Sequence, residues 1–248
     1  MTRVLKIGGN ELDDPAYVAA VAQAVKRMND LPIIVHGGGK SIKALTRKLG
    51  VEPQYLDGRR ITDAATLDII MMVLCGQLNV RLVGALINAG VEAQGFSGVD
   101  RGLLRGKAVL RPNGSLGRVG EITSVRADIL RETLAAQVVP VIAPILLGED
   151  GNFFNINADQ AAGAIGAALG AEQVVFLTNV VGVLHNDALV ERVTQVESQA
   201  LIESSMVTGG MVVKLNAAID ALRAGAKQAL ITDLRGLEKG TGTIVSIQ

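Results

Sequence analysis

The sequence predicts an α/β protein built on a mainly parallel sheet. Short apolar runs at Arg3 to Ile7, Ile33 to Val35 and Gln173 to Leu177 have the length of buried strands. Segments of helical apolar spacing separate them, as in Val18, Val21, Ala22 and Val25. Strand, helix, strand, helix in succession implies parallel strands with helices on the sheet faces.

Composition narrows the function. The chain has 248 residues, room for one large domain or two modest ones. Hydrophobic residues reach 49%, enough for a sizeable core. Lys plus Arg and Asp plus Glu both number 24, so nothing favours nucleic acid or a membrane surface as partner. Aromatic residues are 2% with no Trp, which argues against base-stacking platforms. A lone Cys75 excludes an intrachain disulfide and a cysteine zinc cluster, and reads as a buried small hydrophobe. No uninterrupted apolar run reaches the ~18 residues of a membrane helix. The first residues lack the apolar stretch of a signal peptide. The expectation is a soluble cytoplasmic protein, with a soft division near residue 171.

The first strand ends in Lys6-Ile7-Gly8-Gly9. Lys6 breaks an apolar pattern just before two glycines, which suits an ammonium facing phosphate. Asp14 and Pro15 open a helix from Ala16 to Met28. The second strand runs straight into His36-Gly37-Gly38-Gly39, and a helix from Ser41 to Leu49 follows. Glycines let backbone N–H groups approach a ligand or adopt positive φ, and a helix N-terminus attracts anions. A plain turn needs fewer glycines. Gly39-Lys40-Ser41 is not the end of a P-loop, because that pattern needs glycine where Ile34 stands.

Gly58-Arg59-Arg60-Ile61-Thr62-Asp63 precedes a helix from about Ala64 to Ala89, with Thr62 or Asp63 as its cap. Ile69 to Leu74 is apolar on every side, so that helix is expected to bury more than one face. Val91 to Phe96 reads as a strand. Arg101 to Arg118 reads as a basic β-hairpin turning at Asn113-Gly114. Ser124 to Gln137 is expected to be a helix and Val138 to Ile145 a strand. Asn155-Ile156-Asn157-Ala158-Asp159 leads into a helix of small residues, where Asp159 suits the positive end of the helix dipole. Thr208-Gly209-Gly210-Met211 opens a helix bearing Lys214, Gln228 to Thr232 is a strand, and Thr243 to Val245 begins a closing strand.

In this order the five motifs Lys6 to Gly9, His36 to Gly39, Gly58 to Asp63, Asn155 to Asp159 and Gly209 to Lys214 resemble the amino-acid kinase family. The resemblance spans almost the whole chain. It implies a three-layer α/β/α sandwich, with residues 1–171 binding an acyl substrate and 172–248 the nucleotide. The implied reaction is ATP-dependent phosphorylation of the γ-carboxylate of N-acetyl-L-glutamate, a step of arginine biosynthesis. The alternative is a relative acting on aminoadipate or glutamate held on a carrier protein. A non-catalytic amino-acid sensor is disfavoured by the presence of both Lys6 and Lys214.

The resemblance also assigns roles. Lys6 and Lys214 supply positive charge to the moving phosphoryl group, and Asp159 holds both ammonium groups. Gly8 and Gly9 cradle phosphoryl oxygens. Gly38, Gly39 and Asn155 contact the substrate, and Arg60 clamps its α-carboxylate. Thr178, Asn179, Val180, Val181, Gly182, Val183 and Leu184, with Met206, Val207 and Thr208, line the nucleotide. Asn179 stands where the family often has Asp. A carboxylate with a pKa near ~4.3 is already ionised and needs no general base, which suits a chain with only two histidines. Mg²⁺ is expected on the nucleotide phosphates rather than in a protein cage. A homodimer formed on the Ala64 to Ala89 helix is expected as well.

Overall fold

The computed structural model describes residues 2–247 apart from 10, 53–54, 57–58, 111–115 and 187, and leaves out the side chains at 55, 56, 59 and 60. A sheet of eight strands forms its centre, in the order Arg192–Thr194, Thr243–Ser246, Ala229–Thr232, Gln173–Leu177, Arg3–Ile7, Ile33–His36, Val139–Ala143, Ala93–Ser97. From Ala229–Thr232 to Ala93–Ser97 all neighbours run parallel, and Thr243–Ser246 joins antiparallel. A second sheet holds Phe153–Asn155, Ile145–Gly148, Leu104–Ala108 and Gly120–Val125.

Period-two alternation divides the core into two layers. Val4, Ile33 and Val35 pack on one face with helices Ala127–Ala135, Ala158–Leu169 and Gly210–Arg223. Leu5, Ile7 and Ile34 pack on the other with helix Pro15–Lys26 and the long helix that spans Ala64–Asn88. The predicted three-layer sandwich follows from this alternation. It also sends Lys6 to the face of Val4, toward the start of Ala158–Leu169.

Side chains mark the helix starts. Asp14 accepts from Ala16 N at 2.9 Å, Asp63 from Thr66 N at 2.7 Å and Asn157 from Asp159 N at 2.7 Å. Each such cap contributes about 1 kcal/mol. Of the two candidates for the long helix, Asp63 is therefore the cap. That helix carries a π-helical stretch, Met72–Leu78, between α-helical ends. Its mean hydropathy of 1.8 and its length match a membrane span, yet Ile70, Val73, Leu74, Leu82 and Leu86 are buried in the core.

Three expectations are corrected. The predicted helix from Ser124 begins only at Ala127, because Gly120–Val125 is a strand paired with Leu104–Ala108. The pairing is a hairpin whose second strand lies past the expected limit at Arg118, and the expected turn at Asn113-Gly114, with Arg111, lies outside the described residues. The predicted strand Val138 to Ile145 breaks at Pro144 into Val139–Ala143 and Ile145–Gly148, which belong to different sheets. Proline has no N–H for a ladder and ends the pairing there. Cys75 is half-buried rather than buried, and desolvation pushes its thiol up to about 11.

Candidate active site

The first strand lies between Gln173–Leu177 and Ile33–His36, so strands from the first part of the chain lie on one side of it and strands from residue 173 onward on the other. In open α/β sheets ligands bind at such a switch point, beyond the carboxyl ends of the strands. A cleft of about 500 Å³ opens there. Lys6, Gly8 and Gly9 enter it after the first strand, Gly37, Gly38 and Gly39 after the second, and Thr178 and Asn179 after Gln173–Leu177. Asn155 and Asp159 enter from the junction of the second sheet with helix Ala158–Leu169, and Lys214 from helix Gly210–Arg223. Ile42, Ile70 and Leu74 supply an apolar wall.

Lys6 Nζ lies 2.8 Å from Asp159 Oδ1, with 14% and 15% of the two side chains exposed. The alternation of the strand aims the lysine, and the Asn157 cap sets the aspartate in the first helical turn. Lys214 faces the same cleft. Among the described residues it has no ion pair with Asp159 within 4.0 Å. Asp159 is thus in contact with Lys6, and the second contact expected of it, with Lys214, is not made in this structure. Lys214 sits one turn into a helix whose cap, Gly209, adopts φ 57°, a conformation that favours glycine.

Gly9 and Gly38 are needed for close approach. None of Gly8, Gly9, Gly37, Gly38 or Gly39 has positive φ. Gly37 N donates to Ile7 O at 3.0 Å. A Cβ on Gly9 would lie 2.3 Å from Gly38 N, and one on Gly38 would lie 2.6 Å from Leu74 Cδ2. The two loops thus touch backbone to backbone. Helix Gly39–Lys48 starts at Gly38 with no side-chain cap, which leaves its first amides for a ligand. Asp13 joins the same region by accepting from Ser41 Oγ at 2.5 Å, with Lys40 and Arg81 at 3.8 and 3.9 Å.

Other predicted residues lie elsewhere. The Arg60 side chain is outside the described set, as is Gly58 of its motif. Val180, Val181, Gly182, Val183, Leu184, Met206, Val207 and Thr208 do not line the cleft. Val183 and Val207 bury their side chains in the core, and Thr178 N is held by Thr232 O at 2.8 Å. Residues the sequence reading missed include Glu11, Asn157, Val213 and the apolar wall. Glu11 directly follows the first glycine loop, a position signal that was available. The apolar wall carries none, because its spacing matches any core helix. A larger groove of about 680 Å³ adjoins the cleft at Asp159. Its charged lining is Glu121, Asp159 and Asp220, and each is paired with a basic side chain, Lys107, Lys6 and Arg223 in turn.

The family model described as the amino acid kinase family matches residues 1–233. This chain belongs to the amino acid kinase family. An acetylglutamate kinase of Roseiflexus castenholzii is 53% identical over 241 residues, covering 97% of this chain and 93% of its own. One from Methanopyrus kandleri is 45% identical over 250 residues, covering 98% and 99%. Among solved structures, smu.665 of Streptococcus mutans superposes with a TM-score of 0.82 at 28% identity, over 100% of this chain and 99% of that one. Carbamate kinase of Giardia lamblia bound to AMP-PNP gives 0.71 at 17% identity, over 98% and 97%, a likeness of fold alone.

Proposed function

We propose that this kinase transfers the γ-phosphoryl group of ATP to the γ-carboxylate of N-acetyl-L-glutamate, giving N-acetyl-L-glutamyl 5-phosphate and ADP in arginine biosynthesis. The observation that carries the chemistry is the convergence of Lys6, Lys214 and two glycine loops on one cleft. Phosphoryl transfer calls mainly for positioning and for positive charge around the moving group. The substrate carboxylate is ionised at neutral pH, so the cleft needs no base. The relatives' names supply the substrate, and they favour the free amino acid over the carrier-bound alternative. The hairpin gives that alternative little help, because Arg101 pairs with Glu132 at 2.8 Å and Lys107 with Glu121 at 3.3 Å.

In this reading Lys6 and Lys214 face the transferring group and Asp159 steadies Lys6. The amides of Gly8 and Gly9 meet phosphoryl oxygens. Gly38, Gly39 and Asn155 hold the substrate, and Arg60 takes its α-carboxylate. Residues 1–171 form the acyl lobe and 172–248 the nucleotide lobe, where Asn179 to Leu184 and Met206 to Thr208 approach ATP. Mg²⁺ fits as an ion borne by the phosphates. Among the described residues no group of three or more His, Cys, Asp or Glu side chains is placed to hold a metal, and Mg²⁺ ordinarily keeps waters and substrate oxygens. We assign the enzyme to the cytoplasm as a homodimer joined through the long helix. On that helix Met72, Val80 and Ile87 are exposed with helical spacing. A Cβ on Gly76 or Gly84 would meet nothing within 4 Å. Both features suit a closely packed second copy.

ADP release from the purified protein with ATP, Mg²⁺ and either N-acetyl-L-glutamate or L-glutamate tests the reading. Turnover of the acetylated compound and poor use of the free amine are expected. A free ammonium would find Asp159 already paired with Lys6, which leaves Glu11 as the other carboxylate lining the cleft, and a charge left unpaired is costly in a partly desolvated site. No turnover of N-acetyl-L-glutamate would refute the proposal.

A further inference from the structure

His36 is fully buried at the end of the second strand, directly before the glycine loop. Its Nδ1 lies 3.1 Å from Gly37 O and its Nε2 3.2 Å from Asn79 Nδ2. A carbonyl only accepts, so the ring hydrogen sits on Nδ1 and donates to Gly37 O. Nε2 is then the acceptor for the Asn79 amide. Asn79 also donates to Val141 O at 2.9 Å and reaches Phe96 O at 3.4 Å. It thereby ties together three neighbouring strands, Ile33–His36, Val139–Ala143 and Ala93–Ser97. Gly95 leaves room for it, because a Cβ there would stand 2.1 Å from Asn79 Oδ1. Asn79 directly follows the π-helical stretch whose Leu74 and Leu78 press on Gly38.

The geometry points to His36 and Asn79 as a positioning pair for the reaction. The Asn79 amide fixes the Nδ1–H tautomer of His36, and that ring clamps the Gly37 carbonyl so that the Gly38 and Gly39 amides face the acyl substrate. Neither side chain touches the reacting atoms. The assignment rests on the proposed function for its substrate, while the tautomer and the clamp stand apart from it. Burial agrees with a neutral ring, lowering the His36 pKa to about 4.

Two isosteres separate the arms of the pair. The amide nitrogen of Asn overlays Nδ1, so His36→Asn keeps the clamp. The amide of Gln overlays Nε2, so His36→Gln keeps only the contact with Asn79. His36→Gln should raise KM for N-acetyl-L-glutamate about 10-fold or more, with KM for ATP within about twofold, because amides displaced by a fraction of an ångström lose alignment. His36→Asn should restore the substrate KM to within about threefold of the parent. Equal KM effects from both variants, or a loss confined to kcat, would overturn the assignment. Long-range ¹⁵N–¹H correlation of the histidine rings needs no variant, since the other histidine, His185, is exposed. It should find His36 as Nδ1–H, and an Nε2–H ring would sink the proposal even if the enzyme is active. If the parent fails to use N-acetyl-L-glutamate, the function fails, and the tautomer still decides the clamp.

Discussion

Replacing Gly9 by alanine tests whether the two glycine loops must touch. The added methyl would lie 2.3 Å from Gly38 N, 2.6 Å from Gly38 Cα and 2.7 Å from Gly37 C. Non-bonded carbon atoms rest about 3.5–4.0 Å apart, so the loops must part by about 1 Å. All three obstructing atoms are backbone, and no side chain can rotate away. Forcing extra volume into a packed contact costs about 1–3 kcal/mol. A misplacement of about 1 Å in a site lowers rates by about 100-fold. The hydrogen bond from Gly37 N to Ile7 O, 3.0 Å long, lies across the same seam and would lengthen. Gly39→Ala is the control, since its Cβ would meet nothing within 4 Å and its position opens a helix. Chemical denaturation and steady-state kinetics on both variants give the answer. Gly9→Ala is expected to lose stability and most of its kcat, and Gly39→Ala to keep its stability. A Gly9→Ala enzyme with parental kcat and midpoint would refute the close-approach argument.

Other outcomes follow from the same geometry. Lys6→Ala and Lys214→Ala should each lower kcat by about 10²–10³, the usual loss when one charge aimed at a transition state is removed; a kcat within a few-fold of the parent removes that lysine from the mechanism. Stability should fall as pH drops from about 6.5 toward 4. The unfolded state gains a proton at its ordinary histidine pKa, whereas buried His36 stays neutral until about 4. The loss is about 2 kcal/mol between pH 6.5 and 5, and it should vanish in His36→Gln; an unchanged slope in that variant would place the proton uptake elsewhere. Val80→Glu should convert the proposed dimer to monomer in sedimentation, because it puts a charge on the exposed apolar face of the long helix; a parental mass would remove that face from the proposed interface.

How much was legible in advance follows from the range of each signal. Strand Arg3–Ile7 and the cap at Asp14 rest on local periodicity and chemistry, and both were readable. Lys6 was readable because a charge interrupts an apolar run. Its partner Asp159 was identifiable through motif order, and the contact itself depends on a helix 153 residues later in the chain lying on that face. Ser124 and Val125, the end of strand Gly120–Val125, were read into the helix that follows, and only pairing with Arg105 and Leu104 of the neighbouring strand decides. The role of His36 was hidden for a similar reason. Asn79 reaches it from a different layer, and nothing near either residue in sequence announces the meeting.

The central claim is that this cleft makes an acyl phosphate on a carboxylate. Hydroxylamine added during turnover traps such a product as a stable hydroxamate. With ATP, Mg²⁺ and N-acetyl-L-glutamate, hydroxamate should accumulate one for one with ADP, and its fragment ions, compared with authentic α- and γ-hydroxamates, should place the new bond on the γ-carboxyl. ADP formed without hydroxamate, or hydroxamate absent whenever N-acetyl-L-glutamate is the acceptor, would contradict it.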